Sequence, residues 1–375
     1  MRLAYRYRIY PTKAQRRRME RTLESCRLLY NAGLEQRRTA YQRQHISLSK
    51  ARQQADLPAL KAAYPEFSEV YSQVLQEVLA RLDKAFDAFF RRVKLGTNPG
   101  YPRFRGKGRY DSFTYPQLGF AVKDGRLHVS KIGAVKITLH RAIVSQVKTL
   151  TLRRTSTGKW FACFAVDAEP VAVDTPVASV GVDVGLSHFA TLSTGEHIAN
   201  PRFFRTDEKA LAKAQRRLSA VQKGTPARVE RRKVVARIHE RITNRRHNFC
   251  HQLSRRLVNT YALISFEALK IQNMLQNHAL AKSIADAAWG QLIQCSTYKA
   301  ENAGRSVKQI NPAHTSQDCS GCGARRTLTL KDRVYVCLSC GLVRDRDHNA
   351  SLNIEARGLA SLRASVRSPR FEPWE

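Results

Sequence analysis

Acidic residues are scarce in this chain. Its 375 residues carry 30 Asp and Glu against 65 Lys and Arg, a formal net charge of +35. An excess of this size repels itself unless a polyanion screens it, and it is foreign to ordinary soluble enzymes. Long apolar runs are also missing. No stretch reaches the roughly 18 consecutive apolar residues of a membrane span, and no apolar signal segment follows the basic start. Membrane is therefore not an expected partner, and nucleic acid is. A cytoplasmic protein acting at the nucleoid is expected. The chain has no P-loop, no GxGxxG, no Ser-His-Asp order, and no HExxH spacing among its 11 His. Nucleotide-cradling loops, a hydrolase triad and a zincin site are thereby set aside.

Cysteine is sparse except at one place. Cys319, Cys322, Cys337 and Cys340 form C-x2-C-x14-C-x2-C. Two close pairs of thiolates suit a closed tetrahedral site for one Zn²⁺, and four thiolates leave no open position for catalysis, so its expected role is structural. Cys26, Cys163, Cys250 and Cys295 show no pairing rhythm. In a reducing compartment they are expected to be small buried hydrophobes.

The chain opens with period-two alternation, Leu3, Tyr5, Tyr7 and Ile9 against Arg2, Arg6 and Arg8, which predicts a strand. Thr12 is placed to cap a basic helical region over 13–55, with breaks at Pro58 and Pro65. From Ser68 to Lys94 the helical spacing of Val70, Val74, Leu75, Val78, Leu82, Phe86, Phe89 and Phe90 predicts a core-facing stripe. Residues 95–117 form a Gly/Pro/aromatic/Arg loop, which can stack bases and grip phosphates or be an ordinary structured loop. Short alternating runs over 118–170 read as antiparallel strands of a small barrel that the first strand could join. A linker is expected at Asp174–Pro176. Two strands then turn around Gly185, and a long helical region over 208–256 is broken at Gly224-Thr225-Pro226. Strands over 262–270 and 305–311 flank a helix from Ala279 to Gly304, and a weakly ordered tail is expected after about Gly358.

Between Lys209 and Arg256 the sequence holds fifteen Lys and Arg but only two Glu, at 230 and 240. Solvated helix faces usually mix both signs, so this bias, which includes Arg216, Arg217, Arg231, Arg232, Arg245 and Arg246, points to phosphate contacts. Three of the rare carboxylates stand out by position. Asp183 lies inside the apolar strand VGVDVG, Glu267 ends the apolar strand LISFE, and Asp347 starts the helix after the cysteine block. A carboxylate in an apolar strand is costly unless paired or metal-bound. Converging carboxylates are what two-metal phosphodiester cleavage requires, holding two Mg²⁺ about 3.5–4 Å apart. His188 and His348 fall near this candidate site and read as structural or phosphate-facing.

The order GVDVGLSHFATLSTG, ISFEAL, then TSQDCSGCG…CLSCG…DRDHNASLNI resembles the nuclease part of the TnpB family, transposon-encoded RNA-guided nucleases and presumed ancestors of type V CRISPR effectors. RLAYRYRIYPTKAQ, SCRLLYN, VLQEVLARLDKAFDAFFRR and GYPRFRGKGRYDSFTYP are similar to the family as well, so the likeness reaches about residue 358. It implies a multidomain α+β fold. An RNase H-like (RuvC) α/β nuclease domain would occupy 173–311 and 343–358, with the zinc module inserted at 312–342. A wedge-like β-barrel would occupy 1–12 and 105–172, a helical recognition domain 13–104, and the tail 359–375. The resemblance implies catalytic, Mg²⁺-holding roles for Asp183, Glu267 and Asp347, with Asp345 the weaker candidate. It places reading of a short target-adjacent motif on the N-terminal domains, where Tyr71, Gln73, Gln76, Arg103, Phe104, Arg105, Lys107, Arg109 and Tyr110 are candidates. Expected partners are a guide RNA and double-stranded target DNA, with the protein a monomer in the ribonucleoprotein. Val184 and His348 depart from commoner family residues without removing a carboxylate. A cleavage-inactive RNA-guided repressor and an RNA-independent zinc protein accessory to transposition are the alternatives.

Overall fold

Strand β1 (Arg2–Tyr10) alternates as its sequence requires, with Tyr7 and Ile9 fully buried and Arg2, Ala4 and Arg6 exposed. Thr12 then caps helix α1 (Lys13–Gln44) in a capping box: the Gln15 N–H donates to the Thr12 hydroxyl and the Gln15 side chain accepts from the Thr12 N–H. In the computed structural model the described residues are 2–143, 146–167, 178–329 and 332–367. They form two units, Met1–Ala168 and Glu169–Glu375. The linker expected at Asp174–Pro176 lies outside the described residues. Among the described residues no helix is long and apolar enough to cross a membrane.

In the first unit the expected helix over 13–55 is interrupted. His45 adopts a left-handed conformation (φ 54°) that ends α1, and Ser49 caps a new helix, α2 (Lys50–Ala55). Helix α3 (Leu57–Ala63) follows with its proline in the first turn. Helix α4 (Ser72–Lys94) buries Val74, Leu75, Val78 and Leu82 against α1, while the Phe86, Phe89 and Phe90 end of the stripe is not buried. Phe86 packs at the margin of the core, and the three rings pack on one another and on Tyr101 at 5.1–6.3 Å.

Strands β2 (Ser112–Tyr115), β3 (Phe120–Lys123), β4 (Arg126–Val129), β5 (Gly133–Thr138), β6 (Val147–Arg154) and β7 (Trp160–Asp167) join β1 in an antiparallel sheet of order β2-β6-β7-β1-β5-β4-β3. No ladder joins β2 to β3 among the described residues, so the expected barrel is a seven-stranded sheet with two edges by hydrogen bonding. Pro116, directly after β2, has no N–H with which to extend such a ladder. Cys26, Cys250 and Cys295 are buried as expected, whereas Cys163 is half-exposed on the face of β7 that turns away from the core.

The second unit is built on a mixed sheet. Strands β8 (Ser179–Val184), β9 (His188–Leu192), β10 (His197–Ala199), β11 (Leu263–Glu267) and β12 (Ser306–Ile310) take the order β10-β9-β8-β11-β12. β8, β11 and β12 run parallel, while β9 and β10 are antiparallel additions. β8 and β11 are nearly all apolar because both sheet faces are covered. The basic region forms α5 (Phe203–Ser219) and α6 (Pro226–Thr260), broken where expected, with Thr225 as cap and Pro226 in the first turn. Short α7 (Ile271–Met274) precedes α8 (Ala281–Ala287) and α9 (Trp289–Asn302), and left-handed Ala288 (φ 57°) divides the helix expected over 279–304. α6 and α9 pack together beneath one face. The cysteine block adds the small pair β13 (Val334–Val336) and β14 (Val343–Asp345).

Helix α10 (Arg346–Arg367) covers the other face. It continues beyond Gly358, where a tail was expected: 360–364 carry ordinary helix formers and serine, and Ile354 is fully buried where the helix meets the sheet. α10 lies very close to β8 because Gly181 has no side chain. A Cβ there would sit 1.9 Å from the Ser351 carbonyl oxygen and 2.6 Å from the Glu355 nitrogen.

Candidate active site

Asp183 and Glu267 reach the same edge of the second unit because β8 and β11 are parallel neighbours. Their register ends at Val182 opposite Phe266, so the next residue on each strand is a carboxylate. Asp347 arrives from the first turn of α10. Burial, then the carboxylates of Glu267 and Asp347, push the Asp183 carboxyl well above its usual range, with Arg346 opposing. Like charges raise a carboxylate in this way only from nearby. Burial also raises Glu267, against the hydrogen bond from Thr315 and the charge of Arg357. The Thr315 hydroxyl donates to Glu267 Oε1.

The neighbouring acid Asp345 has a different task. Its Oδ1 accepts the His348 N–H at 2.9 Å, three residues on, which caps the start of α10. Asp347 points elsewhere and meets the Arg346 guanidinium at 3.1 Å. His348 Nε2 lies 3.1 Å from the Ser193 carbonyl, a structural contact that ties α10 to the turn after β9. His188 packs against His197 with ring centroids 4.4 Å apart and the rings tilted by 32°.

The cysteine block forms a real cluster. Cys319 Sγ is 3.7 Å from Cys340 Sγ, and Cys322 Sγ is 3.5 Å from Cys337 Sγ; the sulfurs of the four all lie within 4.8 Å of one another. Tetrahedral Zn–S bonds of about 2.3 Å set sulfurs about 3.8 Å apart, so the donor set and spacing fit zinc. Each knuckle is closed by a glycine N–H, Gly323 to the Cys319 carbonyl at 2.9 Å and Gly341 to the Cys337 carbonyl at 3.1 Å. Among the described residues this is the one group of three or more metal-ligating side chains gathered so tightly. Asp183, Glu267 and Asp347 are not gathered into a group that tight. Carboxylate oxygens are the hard donors that Mg²⁺ prefers.

The candidate nucleic-acid residues divide. Arg103, Phe104, Arg105, Lys107 and Arg109 are exposed, but the loop is strapped to α1: Asn31 brackets the Arg105 backbone at 2.8 and 3.0 Å, and Arg38 stacks over Phe104 at 5.3 Å. Tyr110 is a correction. It is 8% exposed in the first unit's core, where its ring packs near Tyr30. Tyr71 stacks on Tyr115 at 5.6 Å, Gln73 is half-buried, and Gln76 is exposed. In the basic helices Arg216, Arg217, Arg231 and Arg232 are exposed. Arg246 instead pairs with buried Asp286, and Arg245 reaches buried Asp207 at 3.5 Å. Asp207 and Asp286 anchor part of the basic face internally. Their scarcity among so many cations was the only hint of this in the sequence.

A five-stranded mixed sheet with carboxylates at its edge, joined to a four-thiolate module and preceded by a sheet-and-helix unit, defines a multidomain α/β protein. Its fold is that of the compact type V CRISPR effectors. The chain matches the Cas12f1–sgRNA–target DNA complex with a TM-score of 0.57 at 13% identity, over 90% of this chain and 82% of that one. Residues 163–278 match the OrfB_IS605 family, described as a probable transposase, and 289–354 match the Cas12f1-like TNB domain. Residues 1–45 match a domain described as helix-turn-helix, although here they hold one strand and one long helix. A Streptomyces pristinaespiralis protein bearing the name of an RNA-guided DNA endonuclease is 37% identical over 96% of this chain and 90% of its own length. InsQ of Escherichia coli K12, named likewise, is 28% identical over 99% and 97%. The chain belongs to the TnpB family of RNA-guided DNA endonucleases.

Proposed function

We propose that this chain, loaded with a guide RNA derived from its insertion sequence, binds double-stranded DNA beside a short motif and hydrolyses its phosphodiester backbone at Asp183, Glu267 and Asp347. The observation that carries the site assignment is the meeting of Asp183 and Glu267 on adjacent parallel strand ends, with Asp347 near enough to raise the Asp183 carboxyl. The sheet order, three parallel strands with two antiparallel additions, supports an RNase H-like reading of this unit.

Bound Mg²⁺ would supply charge neutralisation at the scissile phosphate and an acidified water. The chain's own residues hold that site. Asp183 and Glu267 present oxygens from a rigid sheet edge, and Asp347 presents one from the first turn of a helix whose cap is Asp345. Arg346 balances Asp347 when no substrate is near. The four cysteines hold one structural Zn²⁺. Exposed Arg216, Arg217, Arg231 and Arg232, with Arg103, Lys107 and Arg109, grip phosphates while base pairing with the guide reads sequence. The first unit takes the guide and reads the adjacent motif.

The test is Asp183→Ala in the purified ribonucleoprotein. Target binding at wild-type affinity with no cleavage is expected. Intact cleavage removes Asp183 from the site. Cleavage that survives full Mg²⁺ chelation refutes the metal assignment, and cutting of a defined target by RNA-free protein refutes guidance.

A further inference from the structure

Between the sheet and the zinc cluster runs a six-residue segment, 315–320, several of whose buried polar contacts reach the elements that carry Glu267 and Asp347. At its start Thr315 is 4% exposed, and its hydroxyl donates to Glu267 Oε1. At its end Cys319 enters the thiolate cluster. Asn349, two residues after Asp347 and fully buried, spans the backbone around that cysteine. Its Nδ2 donates to the Asp318 carbonyl at 2.8 Å, and its Oδ1 accepts the Ser320 N–H at 3.0 Å. One helical turn on, Asn353 Nδ2 donates to the Asp318 and Thr315 carbonyls at 2.7 and 2.8 Å.

These contacts form a closed mechanical path from Glu267 through Thr315 and the Cys319 backbone to Asn349 and the helix turn that carries Asp347. A neutral amide satisfied on both sides by backbone cannot shift without leaving buried polar groups unpaired. Metal binding by four thiolates contributes folding free energy to the loop that carries them. We propose that Thr315 and Asn349 are positioning residues through which the zinc module sets the separation of Glu267 and Asp347, and so the affinity of the site for its divalent ions. The proposal rests on the assignment of Glu267 and Asp347 to that site.

The test compares Thr315→Val, which keeps the buried shape and loses the hydroxyl, with Thr315→Ser, which restores it, and with Asn349→Ala. The full-length, zinc-loaded chain is used. Two readouts are followed: the Mg²⁺ concentration giving half-maximal cleavage by the ribonucleoprotein, and the Mg²⁺ concentration giving half of the thermal stabilisation of the full chain alone. Partners that orient metal ligands typically contribute about 10–100-fold in metal affinity. Both concentrations are expected to rise about 10–100-fold in Thr315→Val and Asn349→Ala. Guide and target binding stay unchanged, Thr315→Val keeps its zinc, and Thr315→Ser returns to wild type. Wild-type Mg²⁺ requirements in Thr315→Val, while Asp347→Ala is inactive, overturn the proposal and leave the site assignment standing. A slower rate with an unchanged Mg²⁺ requirement also overturns it, by making the contacts merely structural. Full cleavage by Asp347→Ala or Glu267→Ala removes the site assignment and the proposal together. If Asn349→Ala fails to fold, the Thr315 pair decides.

Discussion

Gly181→Ala is the most exacting perturbation of this fold, because it adds one methyl group where helix and sheet nearly touch. The new Cβ would lie 1.9 Å from the Ser351 carbonyl oxygen, 2.6 Å from the Glu355 nitrogen and 3.0 Å from the Glu355 Cβ. Two of the three are backbone atoms of α10, so no side-chain rotation relieves the clash. A carbon approaches a carbonyl oxygen to about 3.3 Å, so α10 must withdraw by roughly 1.4 Å. Overpacking of this kind costs about 1–3 kcal/mol, or about 2–12 °C in melting temperature for a unit of this size. The functional cost is larger than the stability cost. α10 carries Asp347 while β8 carries Asp183, and in the site proposed above a misplacement of about 1 Å lowers rate by about 100-fold. The assay is single-turnover cleavage beside target binding in the ribonucleoprotein, with thermal melting of the chain. Loss of cleavage near 100-fold with binding retained is expected. A folded Gly181→Ala protein that cuts at the wild-type rate would refute the claim that close packing of α10 on β8 places the carboxylates.

Three further outcomes follow from the same geometry. Asp183 has a raised folded pKa, so without divalent cations its ionisation costs stability as pH climbs from about 4. Asp183→Asn should therefore melt higher than wild type at pH 7.5 in chelator, with the gain vanishing at acidic pH and on adding Mg²⁺; equal melting at both pH values contradicts this. Lys299, brought down to about 8 chiefly by burial and then by Arg255, donates to the His251 carbonyl and the Ser254 hydroxyl at 2.7 Å each. The folded state releases this proton before the unfolded state does, so wild type gains stability relative to Lys299→Met as pH rises from about 8 to 10.5, and a pH-independent difference contradicts this. Cys322→Ser should lose zinc and melt several degrees lower, since structural zinc sites contribute directly to folding; unchanged zinc content and melting contradict a closed four-cysteine site.

Local patterns carried much of the secondary structure. Alternation in β1, the capping signal at Thr12 and the Gly-Thr-Pro break between α5 and α6 each act over a few residues and needed no tertiary context. The misses were sites where distant contacts chose between local options. His45 and Ala288 took left-handed conformations that end helices, although neither residue type announces it. Tyr110 was a candidate nucleic-acid contact in a loop whose composition left its role open, and packing drew it into the core. Arg246 read as a phosphate contact, and Asp286, forty residues on, took it instead.

By itself the sequence determined the chemistry available to this protein: a polyanion partner, a four-thiolate cluster with its spacing, and three carboxylates in unusual settings, because residue type and local spacing are one-dimensional facts. The tertiary structure alone decided what those groups do to one another. Parallel pairing of β8 with β11 set Asp183 beside Glu267 across more than eighty intervening residues. The missing side chain at Gly181 let α10 lie close on β8, and hydrogen bonds from Thr315 to Glu267 and from Asn349 of α10 to the Asp318 carbonyl tied the cysteine block to both elements. Distances between remote carboxylates depend on packing and buried hydrogen bonds, and no local pattern encodes them.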